Sequence, residues 1–227
     1  MRVEVRLTPT GPPVSSPATL VAVDVLRATT TLTLAFVHGA ARVVEAVSVD
    51  EGFALRGQHP DSLLCGERDG RIVPGFDLGN SPFEYTPQRV GGRTLVFAST
   101  NGSLALRLGR TANRRVLASF VNLEAAAAAL RDAAHVVIVC SGKLGAFALE
   151  DAACAGALVH RLKAAGARVE GTAAAMVADL APRDATAVRA VVEGSAQGLW
   201  LRSLGPEFAR DVEYCATIDA LDRAFAV

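Results

Sequence analysis

Three clusters of small polar residues in this 227-residue chain each follow an apolar, β-rich run and precede a helical pattern. A helix N-terminus presents unpaired N–H groups and about half a positive charge, which suits phosphate. Ordinary helix capping is the alternative for any single cluster. Three clusters at equivalent positions favour one shared anion site. The candidate ligands are Thr29, Thr30, Ser99, Thr100, Asn101, Gly102, Ser141 and Gly142.

Five acidic residues stand beside these clusters. Carboxylates next to a phosphate repel it unless a cation intervenes, and Mg²⁺ can share carboxylate, water and phosphate oxygens. We therefore predict a Mg²⁺ site. Compensation of the helix dipole is the alternative for the two acids that open a helix, Glu150 and Asp151. The candidate metal ligands are Asp24, Glu67, Asp77, Glu150 and Asp151.

Basic residues flank the same acids. Arg27 and Arg68 carry guanidinium groups that can bind phosphate, carboxylate or sulfonate through two parallel hydrogen bonds. An ion pair with a neighbouring acid is the alternative for each. Lys143, one of only two lysines, lies next to the third cluster and is either a ligand contact or an exposed loop lysine.

Two known phosphatase schemes fit poorly. Cys65 and Arg71 have the Cys-x5-Arg spacing of cysteine phosphatases, but a reactive thiolate needs a positive environment. Glu67 and Asp69 lie inside that loop, and no helical pattern follows it. The haloacid dehalogenase scheme needs Asp-x-Asp, and Asp24 is followed by Val and Leu. The chain has no nucleotide-binding glycine motif either.

Helical patterns separate the apolar runs, which predicts an α/β fold with a central, largely parallel sheet covered on both faces. Ligands of such sheets bind at the carboxyl ends of the strands, where all three polar clusters fall. Residues 65–87 form a long segment rich in Gly, Pro, Asp and Asn, which is typical of a functional loop. We predict a single domain over residues 1–227 whose part from about residue 172 is mostly helical.

Net charge and hydropathy limit the classes of molecule that this protein is expected to bind. Lys plus Arg and Asp plus Glu both number 23, so no net field favours nucleic acid. No apolar stretch approaches a membrane span, and the N-terminal residues alternate as in a strand. We therefore expect a cytoplasmic protein with a small anionic phosphoester as its substrate, not a membrane or nucleic-acid partner. Its Ala-rich helices would suit a homodimer.

Several motifs together resemble the 2-phosphosulfolactate phosphatase (ComB-like) family. They are DVLRATTT from Asp24, GER from Gly66, GFDLGNSP from Gly75, TNG from Thr100, SG from Ser141 and LED from Leu149. The tail DVEYCA from Asp211 is similar too. Asp69 and Ser99 depart from the family pattern, where we expect Gly and Thr.

The resemblance implies a three-layer α/β/α fold with a mixed sheet. It also implies Mg²⁺-dependent hydrolysis of 2-phospho-3-sulfolactate to 3-sulfolactate and phosphate, a step towards coenzyme M. A related 2-phospho acid as substrate and a non-catalytic metabolite binder remain the alternatives. By motif, the catalytic candidates are Asp24, Arg27, Glu67 and Arg68, and Asn80 and Ser81 join the substrate-binding candidates.

Overall fold

The computed structural model describes residues 1–227. The strands are β1 (Arg2–Arg6), β2 (Thr19–Val23), β3 (Arg42–Ala46), β4 (Leu63–Arg68), β5 (Arg71–Ile72), β6 (Thr94–Ala98), β7 (Arg114–Ala118), β8 (His135–Cys140) and β9 (Arg168–Val169). The helices are α1 (Ala28–Val37), α2 (Val49–Gln58), α3 (Pro87–Val90), α4 (Gly102–Arg107), α5 (Leu123–Ala129), α6 (Leu149–Ala164), α7 (Thr172–Asp179), α8 (Ala185–Gly194), α9 (Ala196–Ser203) and α10 (Pro206–Cys215).

The strands form two sheets. The larger has the order β7-β2-β8-β1-β9, and all its strands are parallel. The smaller has the order β3-β6-β4-β5, in which only β5 is antiparallel to its neighbour. The predicted α/β class with largely parallel strands is confirmed. The division into two sheets is a feature that the apolar runs did not indicate.

Packing explains why the central strands are apolar along their whole length. One face of the larger sheet packs on α5, α6 and the C-terminal helices in a core of 34 buried residues. A second core of 20 residues joins its other face to the smaller sheet through Leu20, Leu32 and Phe97. Because both faces of such a strand are buried, apolar and polar residues do not alternate along it.

The segment predicted to be irregular contains more regular structure than expected. Its first residues complete β4, which turns into β5, and only the part after Ile72 lacks strands. None of the helices is both long and apolar enough to cross a membrane. The carboxyl ends of β2, β4, β6 and β8 each lead into one of the polar clusters or acids described above.

Candidate active site

Asp24 occupies the carboxyl end of β2 and is 6% exposed. Its Oδ1 accepts a hydrogen bond from the N–H of Ala28 at 3.1 Å, at the start of α1. Thr29 accepts from the Asp24 N–H at 3.0 Å, and its hydroxyl lies 2.8 Å from the carbonyl oxygen of Ala118 on β7. These contacts fix the Asp24 carboxylate at the point where the strand enters the helix.

Asp151, in the first turn of α6, connects two strand ends. Its two oxygens accept hydrogen bonds from the N–H groups of Val25 at 2.8 Å and Gly142 at 3.0 Å. Gly142 has a φ of 62°, and a Cβ there would lie 2.2 Å from the carbonyl oxygen of Ala146. Only glycine fits this close approach. Asp151 therefore holds the loops after β2 and β8 together.

Glu67 has the same function in the smaller sheet. Its carboxylate is buried and accepts hydrogen bonds from the N–H groups of Thr100 at 2.8 Å and Gly70 at 2.9 Å. The preceding Gly66 has a φ of 135°, and a Cβ would lie 2.0 Å from the carbonyl oxygen of Ala98. The end of β4 can therefore lie directly against the loop after β6.

The carboxylates influence one another. Burial raises the pKa of Asp24 to about 7, and the charges of Glu67 and Glu150 add to the rise. Burial also raises the pKa of Glu150, and it raises that of Asp151 well above the usual range with help from Asp24 and Glu150. The charge of Lys143 opposes the shifts of Asp24 and Glu150. We call Asp24, Glu67, Glu150 and Asp151 the acid cluster.

The acid cluster is not a preformed metal cage. No group of three or more His, Cys, Asp or Glu side chains is arranged to hold a metal ion directly. Mg²⁺ in phosphoryl-transfer sites is commonly bound by one or two carboxylates, with waters and substrate phosphate completing its shell. Buried carboxylate oxygens of this kind would suit such a cation.

Three atoms of the candidate ligands are buried and have no hydrogen-bond partner: Oγ of Ser141, Oγ1 of Thr100 and Oδ1 of Asn80. Ser141 is 1% exposed, and its N–H binds the carbonyl oxygen of Val23 at 2.8 Å, so its hydroxyl lies at the end of β2. Buried polar groups are normally satisfied. The free oxygens of Ser141 and Thr100 are therefore available to a ligand.

Other members of the polar clusters are already bonded within the protein. The Thr30 hydroxyl donates to the carbonyl oxygen of Val25 at 3.0 Å, and Asn101 Oδ1 accepts from the Leu144 N–H at 2.9 Å. Gly102 opens α4 beside Asp24, where an added Cβ would lie 2.8 Å from Oδ2 of the carboxylate. The absence of a side chain there keeps that oxygen accessible.

Both arginine candidates bind protein atoms. Arg27 is 3% exposed; its two terminal nitrogens donate to Asp211 Oδ2 at 2.5 Å and to the carbonyl oxygen of Gly70 at 2.6 Å. Ser81 donates to the other Asp211 oxygen at 2.6 Å. Arg68 donates to carbonyl oxygens at the ends of β4 and β6. For Arg27, the ion-pair alternative is the one observed, with Asp211 as the partner.

Comparisons with known proteins show which family the chain belongs to. A family model described as 2-phosphosulpholactate phosphatase matches residues 7–226. The chain belongs to this family. A "Probable 2-phosphosulfolactate phosphatase" from Synechococcus sp. (strain JA-3-3Ab) is 40% identical over 214 residues, covering 92% of this chain and 88% of that protein. A protein of the same name from Thermotoga maritima is 36% identical over 201 residues, with coverages of 88% and 85%.

Membership of the 2-phosphosulfolactate phosphatase family confirms the resemblance and places the chain among phosphoric monoester hydrolases. A cysteine mechanism does not suit the structure, since burial raises the pKa of Cys65 to about 12. The thiol is fully buried on β4 and would stay protonated at neutral pH.

Asp77 lies away from the acid cluster of this family member. Its carboxylate accepts from the Leu64 N–H at 2.8 Å, near the start of β4, and pairs with Arg56 at 2.5 Å. Asp211, in contrast, has a partner that the sequence does not predict, because Arg27 is 184 residues away along the chain. The similarity of the DVEYCA tail to the family motif is the only signal in the sequence that points to Asp211.

Proposed function

We propose that this protein is a Mg²⁺-dependent phosphatase that hydrolyses 2-phospho-3-sulfolactate to 3-sulfolactate and phosphate. The observation that carries the proposal is the acid cluster, in which buried like charges meet at the strand ends of a phosphatase-family chain. Perturbed pKa values of this kind are typical of functional sites. The names of the relatives supply the substrate.

The four acids would have two different roles, metal binding and positioning of the loops. Oδ2 of Asp24 is the oxygen left over after Oδ1 accepts from Ala28, and Glu150 lines a cavity of about 360 Å³. These two are the candidates to hold Mg²⁺, which when bound would neutralise phosphate charge. Glu67 and Asp151 accept backbone N–H groups with both oxygens and would keep the loops in position.

Phosphoryl transfer depends mainly on positioning and electrostatic stabilisation. The hydroxyls of Thr100 and Ser141 would bind phosphate oxygens, since both are buried and without a partner in the protein. Arg27 and Arg68 would act through the loops that they hold. The nucleophile is either water or a carboxylate of the acid cluster.

Phosphate release from 2-phosphosulfolactate and 2-phospholactate tests the proposal, with Mg²⁺ and after EDTA. We expect metal-dependent release and a loss of about 1000-fold or more in Asp24→Asn, because removing a metal-binding or transition-state charge costs several kcal/mol. The matched control is Asp132→Asn, whose carboxylate is 77% exposed and remote from the cluster.

Release that resists EDTA, or full activity in Asp24→Asn, would contradict the assignment. Preference for 2-phospholactate would move the substrate to a related 2-phospho acid. Thermal stabilisation by these compounds without any phosphate release would instead identify a metabolite-binding protein.

A further inference from the structure

The chain makes a tight turn immediately after the third polar cluster. Lys143 and Ala146 exchange two backbone hydrogen bonds of 2.9 Å, and Leu144 and Gly145 between them have φ values of 51° and 80°. The Leu144 N–H donates to Asn101 Oδ1 at 2.9 Å. The turn is thereby tied to the loop after β6, and the backbone of Lys143 has a defined position.

The side chain of Lys143 is half-buried, and its Nζ lies 4.5 Å from the centroid of the Trp200 ring. Contact with an aromatic face stabilises a cation and limits its freedom. The ion pairs of the structure are formed by arginines and a histidine, and Lys143 takes part in none of them. The ammonium group is therefore a cation near the acid cluster that has no direct acidic partner.

Trp200 connects this lysine to the rest of the site. A Cβ on Gly70 would lie 3.0 Å from the Trp200 ring, and the Gly70 N–H is one of the donors to Glu67. Lys143 and Glu150 together line the cavity of about 360 Å³, with Phe147 and Ser195 on its wall. The lysine can thus reach a ligand that also contacts the acid cluster.

A substrate with several anionic groups needs a positive partner beyond the phosphate site. Arg27 is unsuited to this role because both its terminal nitrogens bind protein acceptors, and one terminal nitrogen of Arg68 is held by two backbone carbonyl oxygens. Lys143 has no such hydrogen bond, lines the same cavity as Glu150, and is the cation whose charge acts on Asp24 and Glu150. An ammonium group offers three rotatable donors, which suit carboxylate and sulfonate oxygens alike.

We propose that Lys143, held on the face of Trp200, binds the carboxylate of the substrate, the non-transferred anionic group that 2-phosphosulfolactate and 2-phospholactate share. It would make the enzyme select phosphoesters that carry a second anionic group next to the phosphate. This inference rests on the proposed function, and its tests separate the two.

The kinetic test compares Lys143→Gln with Lys163→Gln, the matched change at the other lysine, which is exposed on α6. The substrates are 2-phosphosulfolactate, 2-phospholactate and isopropyl phosphate, which has a methyl group in place of the carboxylate of 2-phospholactate. We expect Lys143→Gln to lower kcat/KM about 10- to 100-fold for the first two, mainly through KM, because a charged hydrogen bond is lost. Isopropyl phosphate, measured as a substrate or as an inhibitor, should change by about twofold or less. An equal loss for all three compounds, or none, would overturn the proposal.

A second test does not depend on turnover. Because Lys143 and Lys163 are the only lysines, acetylation by an activated ester can be followed at each by mass spectrometry. We expect 3-sulfolactate to slow acetylation of Lys143 about fivefold or more and to leave Lys163 unchanged. Protection without phosphate release would keep the anion site and reject the proposed function. Release without protection would reject the role of Lys143.

Discussion

Asp24 and Glu45 are two acids with almost the same solvent exposure and opposite electrostatics. Asp24 is 6% exposed and Glu45, on β3, is 5% exposed. Burial raises the pKa of both, but Glu45 binds Arg110 at 2.7 Å and Arg115 at 3.1 Å, and these guanidinium groups bring its pKa below the usual value. Asp24 has further acids nearby, and its pKa rises to about 7.

The comparison shows that burial alone does not distinguish a functional acid from a structural one. A buried charge that the fold needs is accompanied by its counter-charge, because an uncompensated buried charge is costly. The fold provides two arginines for Glu45. It provides only the more distant Lys143 for the acid cluster, so a bound ligand would have to supply the remaining positive charge.

The largest expected effect on stability comes from removing the uncompensated charge. The pKa of Asp24 is about 3.8 in the unfolded chain and about 7 in the fold, so the fold retains the proton that the unfolded chain loses. The stabilisation that comes from the raised pKa of Asp24 is complete below about pH 4, declines as pH rises, and is lost above about pH 7. Asp24→Asn should therefore raise the free energy of unfolding at pH 8 by about 4 kcal/mol in the absence of metal.

Urea unfolding at pH 4 and pH 8 measures this effect. Wild type should lose stability over that interval, and the variant should lose less, with the remaining loss due to the raised pKa values of Glu150 and Asp151. An Asp24→Asn protein that is less stable than wild type at pH 8 would show that the carboxylate contributes more by its hydrogen bond to Ala28 than it costs by its charge.

The sequence could predict this half of the comparison but not the other. Parallel strands of one sheet bring their carboxyl ends to one edge, and Asp24, Glu150 and Asp151 follow β2 and β8 of the larger sheet, so their proximity can be anticipated from the order of elements. The position of Glu67 cannot be anticipated in this way, because β4 belongs to the smaller sheet. The partners of Glu45 cannot, because Arg110 and Arg115 lie 65 and 70 residues away and no local pattern connects them.

The division into two sheets has a similar cause. A run that is apolar on both faces shows that a strand is buried, but it does not say which neighbour it pairs with. The ion pair of Arg27 with Asp211 and that of Asp77 with Arg56 depend on the same long-range choices, and these decide which predicted ligands face the acid cluster.

Adding metal should change the free energy of unfolding less than the Asp24→Asn substitution does. Mg²⁺ should stabilise wild type by about 2.7 kcal/mol at a concentration 100 times its dissociation constant. The gain should be greater at pH 8 than at pH 5, because protons compete with the metal for carboxylates of raised pKa. Thermal unfolding at both pH values, with and without EDTA, measures it. Asp24→Asn should show little gain; an equal gain in that variant would locate the cation elsewhere.

The smallest effect is expected where the charge is already compensated. Glu45→Gln removes a carboxylate that two arginines bind, so it should lower the free energy of unfolding by about 2 kcal/mol and not raise it. Arg110 is half exposed and can be solvated after the change, which limits the loss of stability.

Phosphate release per folded molecule of Glu45→Gln should stay within about twofold of wild type, since Glu45 is not among the acids that perturb the cluster. Urea unfolding and the phosphate assay on the same preparation would check both values. If Glu45→Gln were more stable than wild type at pH 8, the two arginines would not compensate the charge, and the contrast with Asp24 would fail.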